Sequence, residues 1–176
     1  AFSASSIAAL IDDPRVVVEF RDVVSSTNIV AKELAEAGAP EGTLVVADTQ
    51  TAGRGRQGRA FFSPAGTGVY FSLLLRPRFS LADVSLITSY AACCLADAIE
   101  ERVGEHAQIK WVNDVFVGGR KVSGILSEAS FDAETRTLAY VVVGIGVNVI
   151  EPESGFDDAA NIAGALVRAA EDSNDL

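Results

Sequence analysis

The stretch IKWVNDVFVGGRKVSGILSEA, residues 109–129, decides the fold that we predict for this chain. It contains two short runs rich in β-branched and aromatic residues, at 109–111 and 115–117, and a longer run at 121–129 that includes the apolar residues Val122, Ile125 and Leu126. Such residues favour strands, and a glycine pair between the last two runs is typical of a tight hairpin turn. The stretch therefore predicts antiparallel strands that follow one another directly along the chain.

The residues on both sides of this stretch predict further strands and several helices. Strands are expected at 16–24, 44–47, 69–75 and 138–147, helices at 5–11, 28–37, 80–103 and 157–170, and a long loop at 48–68. Ser26 or Thr27 can cap the second helix, and Gly38 can end it. Because strands mostly follow strands, with helices before and between them, we expect an α+β fold with a mixed, largely antiparallel sheet. We expect a single domain that spans residues 1–176.

The composition limits the classes of function that the chain can have. The chain has 176 residues, 49% of them hydrophobic, and a formal net charge of −10. Nucleic-acid binding needs a basic face, so an acidic chain does not favour such a partner. The longest apolar run, 139–150, is shorter than the ~20 residues that span a bilayer. We therefore expect a cytoplasmic protein that binds neither DNA nor a membrane.

The cysteines and the single histidine point away from metal or disulfide chemistry. Cys93 and Cys94 are adjacent in an apolar run. Neighbouring cysteines rarely bridge each other, because so short a link strains a disulfide. We expect both to be buried thiols in a reducing compartment. His106 lies in a polar stretch, so we expect it at the surface rather than in acid–base catalysis.

A segment rich in glycine and arginine, GRGRQGR at residues 53–59, lies inside the long loop. Glycines let the backbone close tightly around a ligand, and guanidinium groups match phosphate and carboxylate. The segment is not a Walker loop, because no Gly-Lys-Ser or Gly-Lys-Thr follows it. A solvated basic loop and an RNA-binding arginine–glycine tract are the alternatives, and the net charge of −10 disfavours the second.

Polar residues flank the hairpin in the first stretch. Asn113 and Asp114 precede it, and Lys121 begins the strand that follows it. A lysine at the edge of an apolar strand can direct its ammonium group toward a ligand on the sheet. It can equally extend into solvent, and Asn–Asp pairs are ordinary turn residues. These residues alone leave both a binding site and a solvated turn open.

Two further segments have the same ambiguity. GIGVN at 144–148 lacks the third glycine of a dinucleotide-binding fingerprint, and Glu151 and Pro152 follow it instead of a helix. Glycines inside a strand indicate either sheet packing or close approach by a ligand, and Asn148 could contact a phosphate or a metal-bound water. SSTN at 25–28 can be an ordinary helix start or a site for an anion or a carbonyl group.

Together, these segments resemble the catalytic domain of the biotin protein ligases. The segments at 26–28, 53–59, 62–64, 113–114, 121–126 and 144–148, with Tyr70 and Ser72 between them, occur in that family's order. Their joint occurrence is far more specific than any one of them. The resemblance covers roughly residues 20–150 and implies the catalytic fold that biotin ligases share with class II aminoacyl-tRNA synthetases.

The resemblance also implies an activity. The enzyme would join biotin and ATP into biotinyl-5'-AMP with Mg²⁺, and would then transfer biotin to a lysine of a biotin carboxyl carrier protein domain in a biotin-dependent carboxylase. A homodimer is compatible with this reading. A lipoate or octanoate ligase and a non-catalytic biotin-binding remnant are the alternatives. A linear acyl chain would need an elongated apolar slot, whereas a Ser-Thr-Asn helix start with Gln50 suits a ureido ring better.

Roles for individual residues follow from the resemblance. Biotin would be bound by Ser26, Thr27, Asn28, Gln50, Gly53, Arg54, Tyr70, Ser72 and Gly124. The nucleotide would be bound by Arg54, Arg56, Arg59, Phe61, Asn113, Lys121 and Asn148. The catalytic residues would be Lys121, Arg56 and Asp114. Lys121 would bridge the biotin carboxylate and the α-phosphate, Asp114 would orient the adenylate or help to deprotonate the acceptor lysine, and no residue would ligate a metal directly.

The chain departs from the family's usual pattern at two positions. Val112 stands where the family usually has proline, and Phe61 stands where a tryptophan usually stacks on adenine. Phenylalanine offers less stacking area than tryptophan. We also expect neither the N-terminal DNA-binding helix-turn-helix of some members nor the small C-terminal β-domain of the family within residues 1–176.

Overall fold

The computed structural model describes residues 3–78, 84–132, 137–156 and 162–167. Its helices are α1 (Ala4–Ala8), α2 (Thr27–Glu36) and α3 (Val84–Val103), and a 3₁₀ turn lies at Arg56–Gly58. Its strands are β1 (Val17–Val24), β2 (Thr43–Gln50), β3 (Gly68–Leu75), β4 (Ala107–Lys110), β5 (Asp114–Val117), β6 (Arg120–Phe131) and β7 (Leu138–Asn148). None of the helices in these residues is long and apolar enough to cross a membrane.

The strands form one sheet of seven strands in the order β1-β2-β3-β7-β6-β5-β4. β1 and β2 are parallel, since α2 connects them, and every other neighbouring pair is antiparallel. The β5–β6 hairpin turns at Gly118 and Gly119, both of which have positive φ. The predicted α+β fold with a mixed, largely antiparallel sheet is confirmed, because hairpins link the strands wherever no helix intervenes.

The two longer helices lie on opposite faces of the sheet. On one face, Ala31 and Ala35 of α2 pack against Val142 of β7. On the other face, Ala92 of α3 packs against Val141 and Val143. Side chains alternate along a strand, so Gly144, Gly146 and Asn148 continue the row of Val142 toward the N-terminal end of α2. Two of these three residues are glycines, which lets the Asn28 amide and the Phe61 ring approach the sheet at that end of the α2 face.

The segment 162–167 is not helical, so this part of the predicted helix at 157–170 was wrong; residues 157–161 and 168–170 lie outside the described ranges. Its backbone groups bond to the sheet instead. Gly164 N donates to Lys121 O at 2.9 Å, and Leu166 N donates to Asn148 O at 3.1 Å. An amide that bonds to a neighbouring strand is not available to an i−4 carbonyl, so the sheet replaces the helix here. The predicted start of α3 at 80–83 and most of the turn at 132–135 also lie outside the described residues.

The expectation of buried cysteines was also wrong. Cys93 and Cys94 are both free thiols and both exposed. Helical periodicity explains this result, because Ala92, Ala96 and Ile99 recur at the spacing of one helix face and are buried against the sheet. The two cysteines come directly after Ala92 and therefore point away from that face. His106 lies at the surface as predicted, with 78% of its side chain exposed, and contacts Glu100 at 2.7 Å.

Candidate active site

A cavity of about 1000 Å³ opens on the α2 face of the sheet. The segment 49–64 lines one side of it, and Asn113, Asp114 and Lys121 of the β5–β6 region line another. The predicted site residues that line this cavity are Gln50, Gly53, Arg54, Arg56, Arg59, Phe61, Asn113, Asp114, Lys121, Gly124 and Asn148. Ser26, Thr27 and Asn28 line a small adjoining space of about 20 Å³, together with Gln50, Arg54, Phe61 and Gly124. The structure therefore brings together residues from segments that are far apart in the sequence.

A polar network lies at the N-terminal end of α2 and consists of Ser26, Thr27, Asn28, Gln50 and Ser72. Gln50 Oε1 accepts a hydrogen bond from the Thr27 backbone N at 2.9 Å. The Ser72 hydroxyl contacts Thr27 Oγ1 at 2.8 Å and Asn28 Oδ1 at 2.6 Å. Ser26 occupies the N-cap position but makes no side-chain cap bond, so Gln50 satisfies a helix-end amide in its place. All four residues other than Gln50 are at most 3% exposed, which makes this network rigid and largely neutral.

Three glycines, Gly124, Gly144 and Gly146, form a glycine floor beside the polar network. A Cβ atom at Gly144 would collide with the Asn28 side-chain amide, and one at Gly146 would come within 2.5 Å of the Phe61 ring. At Gly124 a Cβ would lie 3.3 Å from Phe61, a tight contact. The glycines of β7 are thus needed for the close approach of neighbouring side chains.

A charged network lies across the cavity and consists of Arg56, Asn113, Asp114 and Lys121. Lys121 Nζ forms an ion pair with Asp114 Oδ1 at 2.8 Å. Asn113 Nδ2 donates to Asp114 Oδ1 at 3.0 Å, and Arg56 Nη1 donates to Asn113 Oδ1 at 2.8 Å. The β5–β6 pairing places Asp114 opposite Gly124, so this network borders the glycine floor. It can present an ammonium and a guanidinium group to an anion in the cavity.

The segment 53–59 reaches the charged network through a compact local fold. Gly55 N donates to Arg59 O at 2.8 Å, and Gln57 adopts a positive φ of 58° within the 3₁₀ turn. Phe61 N donates to Gly53 O at 2.9 Å, and a Cβ at Gly53 would collide with the Phe61 carbonyl. The glycine at position 53 is therefore required by its own loop.

Tyr70 and Ser72 line neither the cavity nor the adjoining space. Tyr70 is 1% exposed and meets the Phe61 ring edge-on, with 6.4 Å between the ring centroids. Burial raises the pKa of Tyr70, against the opposing effect of its hydrogen bond with Thr67. The structure places both residues behind the wall, where they support Phe61, Thr27 and Asn28.

The comparison with known proteins agrees with this geometry. A sequence model described as the biotin/lipoate A/B protein ligase family matches residues 20–148. The chain belongs to this family. The matched range begins in β1 and ends at Asn148, so it contains the polar network, the glycine floor and the charged network. The predicted resemblance to the biotin protein ligases is confirmed.

Individual members of the family show the same relationship. The chain is 46% identical over 152 residues to the "Bifunctional ligase/repressor BirA" of Bacillus subtilis, a match that covers 86% of the chain and 46% of that protein. It is 41% identical over 133 residues to the "Biotin--[acetyl-CoA-carboxylase] ligase" of Paracoccus denitrificans, which covers 74% of the chain and 54% of that protein. The chain therefore spans about half the length of these relatives.

A solved structure supports the fold of this family member. The biotin protein ligase from Aquifex aeolicus in complex with biotin and ATP superposes with a TM-score of 0.67 at 36% sequence identity. The superposition covers 85% of this chain and 59% of that chain.

Within the turn that leads to Asn113, the Trp111–Val112 peptide is cis.

One residue that supports the site was not predicted from the sequence: Glu128, which lines neither the cavity nor the adjoining space. Glu128 lies in β6 with its side chain 18% exposed, and its carboxylate contacts Asn28, Lys32 and Arg54. Burial favours the neutral acid, but the hydrogen bonds from Lys32 and Asn28 and the charges of Lys32 and Arg54 outweigh it, so the pKa of Glu128 is lowered. Strand periodicity was the available signal, because Glu128 shares a sheet face with Gly124 and Leu126.

Proposed function

We propose that this chain is the catalytic domain of an ATP-dependent biotin protein ligase. It forms biotinyl-5'-AMP and transfers biotin to a specific lysine of a biotin carboxyl carrier protein domain. One observation carries the proposal: a cavity lined by lysine and arginine side chains adjoins a small space lined by neutral polar residues and the glycine floor. Biotin has a neutral ureido ring at one end and a carboxylate at the other, so these parts match its chemistry.

The ureido ring is expected at the polar network. It carries one carbonyl acceptor and two N–H donors, which need partners at defined positions. Thr27 and Gln50 are fixed by their mutual hydrogen bonds, and Gln50 Nε2 also donates to Ser63 Oγ at 2.9 Å. Preorganised polar groups lose little entropy when a ligand binds. The glycine floor beside them lets the Phe61 ring and the Asn28 amide lie close to the sheet, where the fused rings would contact them.

The first chemical step is expected at the charged network. The biotin carboxylate attacks the α-phosphorus of ATP, the bond to the β-phosphate oxygen breaks, and pyrophosphate leaves. Negative charge builds on the phosphate oxygens during this step. Lys121 and Arg56 would stabilise that charge, and Arg59 extends the cationic side of the cavity. Phe61 lines the same cavity and is the proposed stacking partner of adenine.

The second step consumes biotinyl-5'-AMP, the mixed anhydride that the first step forms. The neutral amine of the acceptor lysine attacks the acyl carbon, the bond to the phosphate oxygen breaks, and AMP leaves as the amide forms. Asp114 is the only carboxylate among the described lining residues, so it is the proposed group for orienting or deprotonating the amine. Its ion pair with Lys121 would have to loosen as Lys121 turns to the adenylate.

Magnesium fits this site as a companion of the nucleotide. No group of three or more His, Cys, Asp or Glu residues in the described part of the chain could hold a metal by itself. Mg²⁺ usually takes one or two protein oxygens, with phosphates and water completing its shell. Asn148 lines the cavity and could contact a water of its shell, and the ion would neutralise phosphate charge when bound.

A substrate-selective adenylation assay tests the proposal. The protein is incubated with ATP, Mg²⁺ and either biotin or lipoate, and pyrophosphate and the acyl adenylate are measured. Biotinyl-5'-AMP without lipoyl-5'-AMP supports the proposal, and the reverse identifies a lipoate ligase. Biotin binding by calorimetry without any adenylate identifies a non-catalytic binder. A carrier domain and the same domain with its acceptor lysine changed to arginine then test the transfer step.

A further inference from the structure

Glu128 joins three separate elements of the molecule at one carboxylate. It belongs to β6, and its Oε2 accepts a hydrogen bond from Asn28 Nδ2 of α2 at 2.8 Å. Its Oε1 accepts from Lys32 Nζ, also of α2, at 2.5 Å. The same oxygen lies 3.3 Å from Arg54 Nη1 of the segment 53–59.

The three residues that contact Glu128 differ in whether they line the cavity or the small adjoining space. Asn28 is 3% exposed and lines the small space beside the polar network. Arg54 lines both that space and the main cavity, and 45% of its side chain is exposed. Lys32 lines neither, so it holds the carboxylate only from the scaffold side. Glu128 therefore links the buried end of α2 to the guanidinium group of a half-exposed arginine that lines the cavity.

The contacts around Asn28 and Arg54 limit the movement of both side chains. The Asn28 amide is oriented from both ends, because its oxygen accepts from Ser72 and its nitrogen donates to Glu128 and to Leu126 O. Gly144 provides the space that the Asn28 amide occupies. A long arginine side chain has several rotatable bonds, and an ion pair with an immobile carboxylate limits the positions that it samples.

We propose that Glu128 is a positioning residue for the acyl substrate, acting through Arg54 and Asn28. This inference rests on the proposed function, because it assigns the positioned groups to biotin. Glu128 holds the guanidinium of Arg54 and the amide of Asn28 in the arrangement that receives the ligand, so that neither has to be ordered during binding. Loss of this order weakens biotin binding and leaves the chemical step nearly unchanged.

Four variants test the inference. Glu128→Gln retains the size of the side chain and removes its charge. Its biotin Kd, measured by calorimetry, is expected to rise about tenfold, which corresponds to one charge-assisted contact. In pyrophosphate release, KM for biotin should rise by a similar factor while kcat stays within about twofold. Lys32→Met is the matched control, because it removes a contact to the same carboxylate from the scaffold side, and its affinity should stay within about twofold.

A double-mutant cycle separates positioning from a general loss of structure. Arg54→Ala alone should weaken biotin binding, and adding Glu128→Gln to it should cost less than about threefold, since the route through Arg54 is then gone and only that through Asn28 remains. Unchanged biotin affinity in Glu128→Gln overturns the inference. So does a full tenfold loss in the Arg54→Ala background, or an equal loss in Lys32→Met, because either result would indicate a purely structural role.

A second variant and a measurement on the wild-type protein cover the cases in which Glu128→Gln does not fold or the protein binds no biotin. If Glu128→Gln does not fold, Glu128→Asp is measured instead; its shortened carboxylate is expected to lose Arg54 and to show the same rise in Kd. Wild-type affinity in that variant overturns the inference. A wild-type protein that binds no biotin overturns the proposed function and this inference together, whereas biotin binding that is insensitive to Glu128 overturns the inference alone.

Discussion

The polar network and the charged network border the same glycine floor but differ in burial and in charge. Ser26, Thr27 and Asn28 are nearly inaccessible neutral residues; Thr27 and Asn28 bond to Ser72, and Asn28 also donates to the Glu128 carboxylate. Lys121 and Asp114 are 25% and 22% exposed and pair with each other. A buried neutral network is costly to break and keeps one geometry, whereas a partly exposed ion pair can exchange partners at small cost. We infer that the polar network recognises the acyl substrate and that the charged network takes part in the reaction.

The largest expected effect comes from the charged network. Lys121→Ala should lower adenylate formation by about 100-fold or more, because the ammonium group would stabilise charge that develops in the transition state. Pyrophosphate release with biotin and ATP measures this effect. Lys110→Ala is the matched control, since Lys110 stacks over Phe116 outside the cavity and should retain activity. Near-normal activity in Lys121→Ala would remove the distinction between the two networks.

The polar network should respond through stability as well as binding. Gly144→Ala places a Cβ atom against the Asn28 amide, so it is expected to destabilise the fold by about 1–3 kcal/mol and to weaken biotin binding. Chemical denaturation and calorimetry measure the two effects. Gly124→Val, where a Cβ meets Phe61 at 3.3 Å instead of colliding with it, should block biotin while lowering the free energy of unfolding less than Gly144→Ala. If Gly144→Ala is as stable and as active as wild type, the polar network is not rigid.

Arg56 tests whether the charged network retains the intermediate. Its guanidinium reaches Asn113 across the cavity, so Arg56→Gly opens that contact and frees the backbone. Adenylate should still form, because Lys121 remains, but it should escape about tenfold faster. The escaped adenylate should label lysines on an unrelated protein in the same tube. Arg59→Gly serves as the comparison within the same segment. Equal labelling by wild type and Arg56→Gly would contradict a role of Arg56 in retaining the adenylate.

The smallest expected effect concerns Glu128, which connects the polar network to Arg54. The pKa of Glu128 is lowered in the folded protein from its ordinary value of 4.5. Its ionised form therefore contributes stability above about pH 4.5, and this contribution is lost as the pH falls through the lowered pKa. The free energy of unfolding of Glu128→Gln should accordingly fall less steeply with acid than that of wild type. Denaturation curves between neutral and acidic pH measure the two slopes, and identical slopes would show that Glu128 is not paired in solution.

The amino-acid sequence by itself determined the fold class, the positions of most strands along the chain and a set of residues that mostly line the cavity or the adjoining space. Hairpin glycines and alternating apolar residues act over a few positions, so the strands around Gly118 could be predicted from local patterns. The spacing of the segments 53–59 and 113–121 indicated the family. Local signals are sufficient here because each motif carries its own turn or its own charged groups.

Only the tertiary structure decided which side of an element each residue faces and what it contacts there. Cys93 and Cys94 are exposed because α3 presents Ala92 to the sheet, and Tyr70 and Ser72 lie behind the cavity wall. The segment 162–167 bonds to β6 and β7 instead of forming a helix. Glu128 and Arg54 are separated widely in the sequence but meet at 3.3 Å. These outcomes depend on long-range hydrogen bonds and packing, which no local pattern of residues encodes.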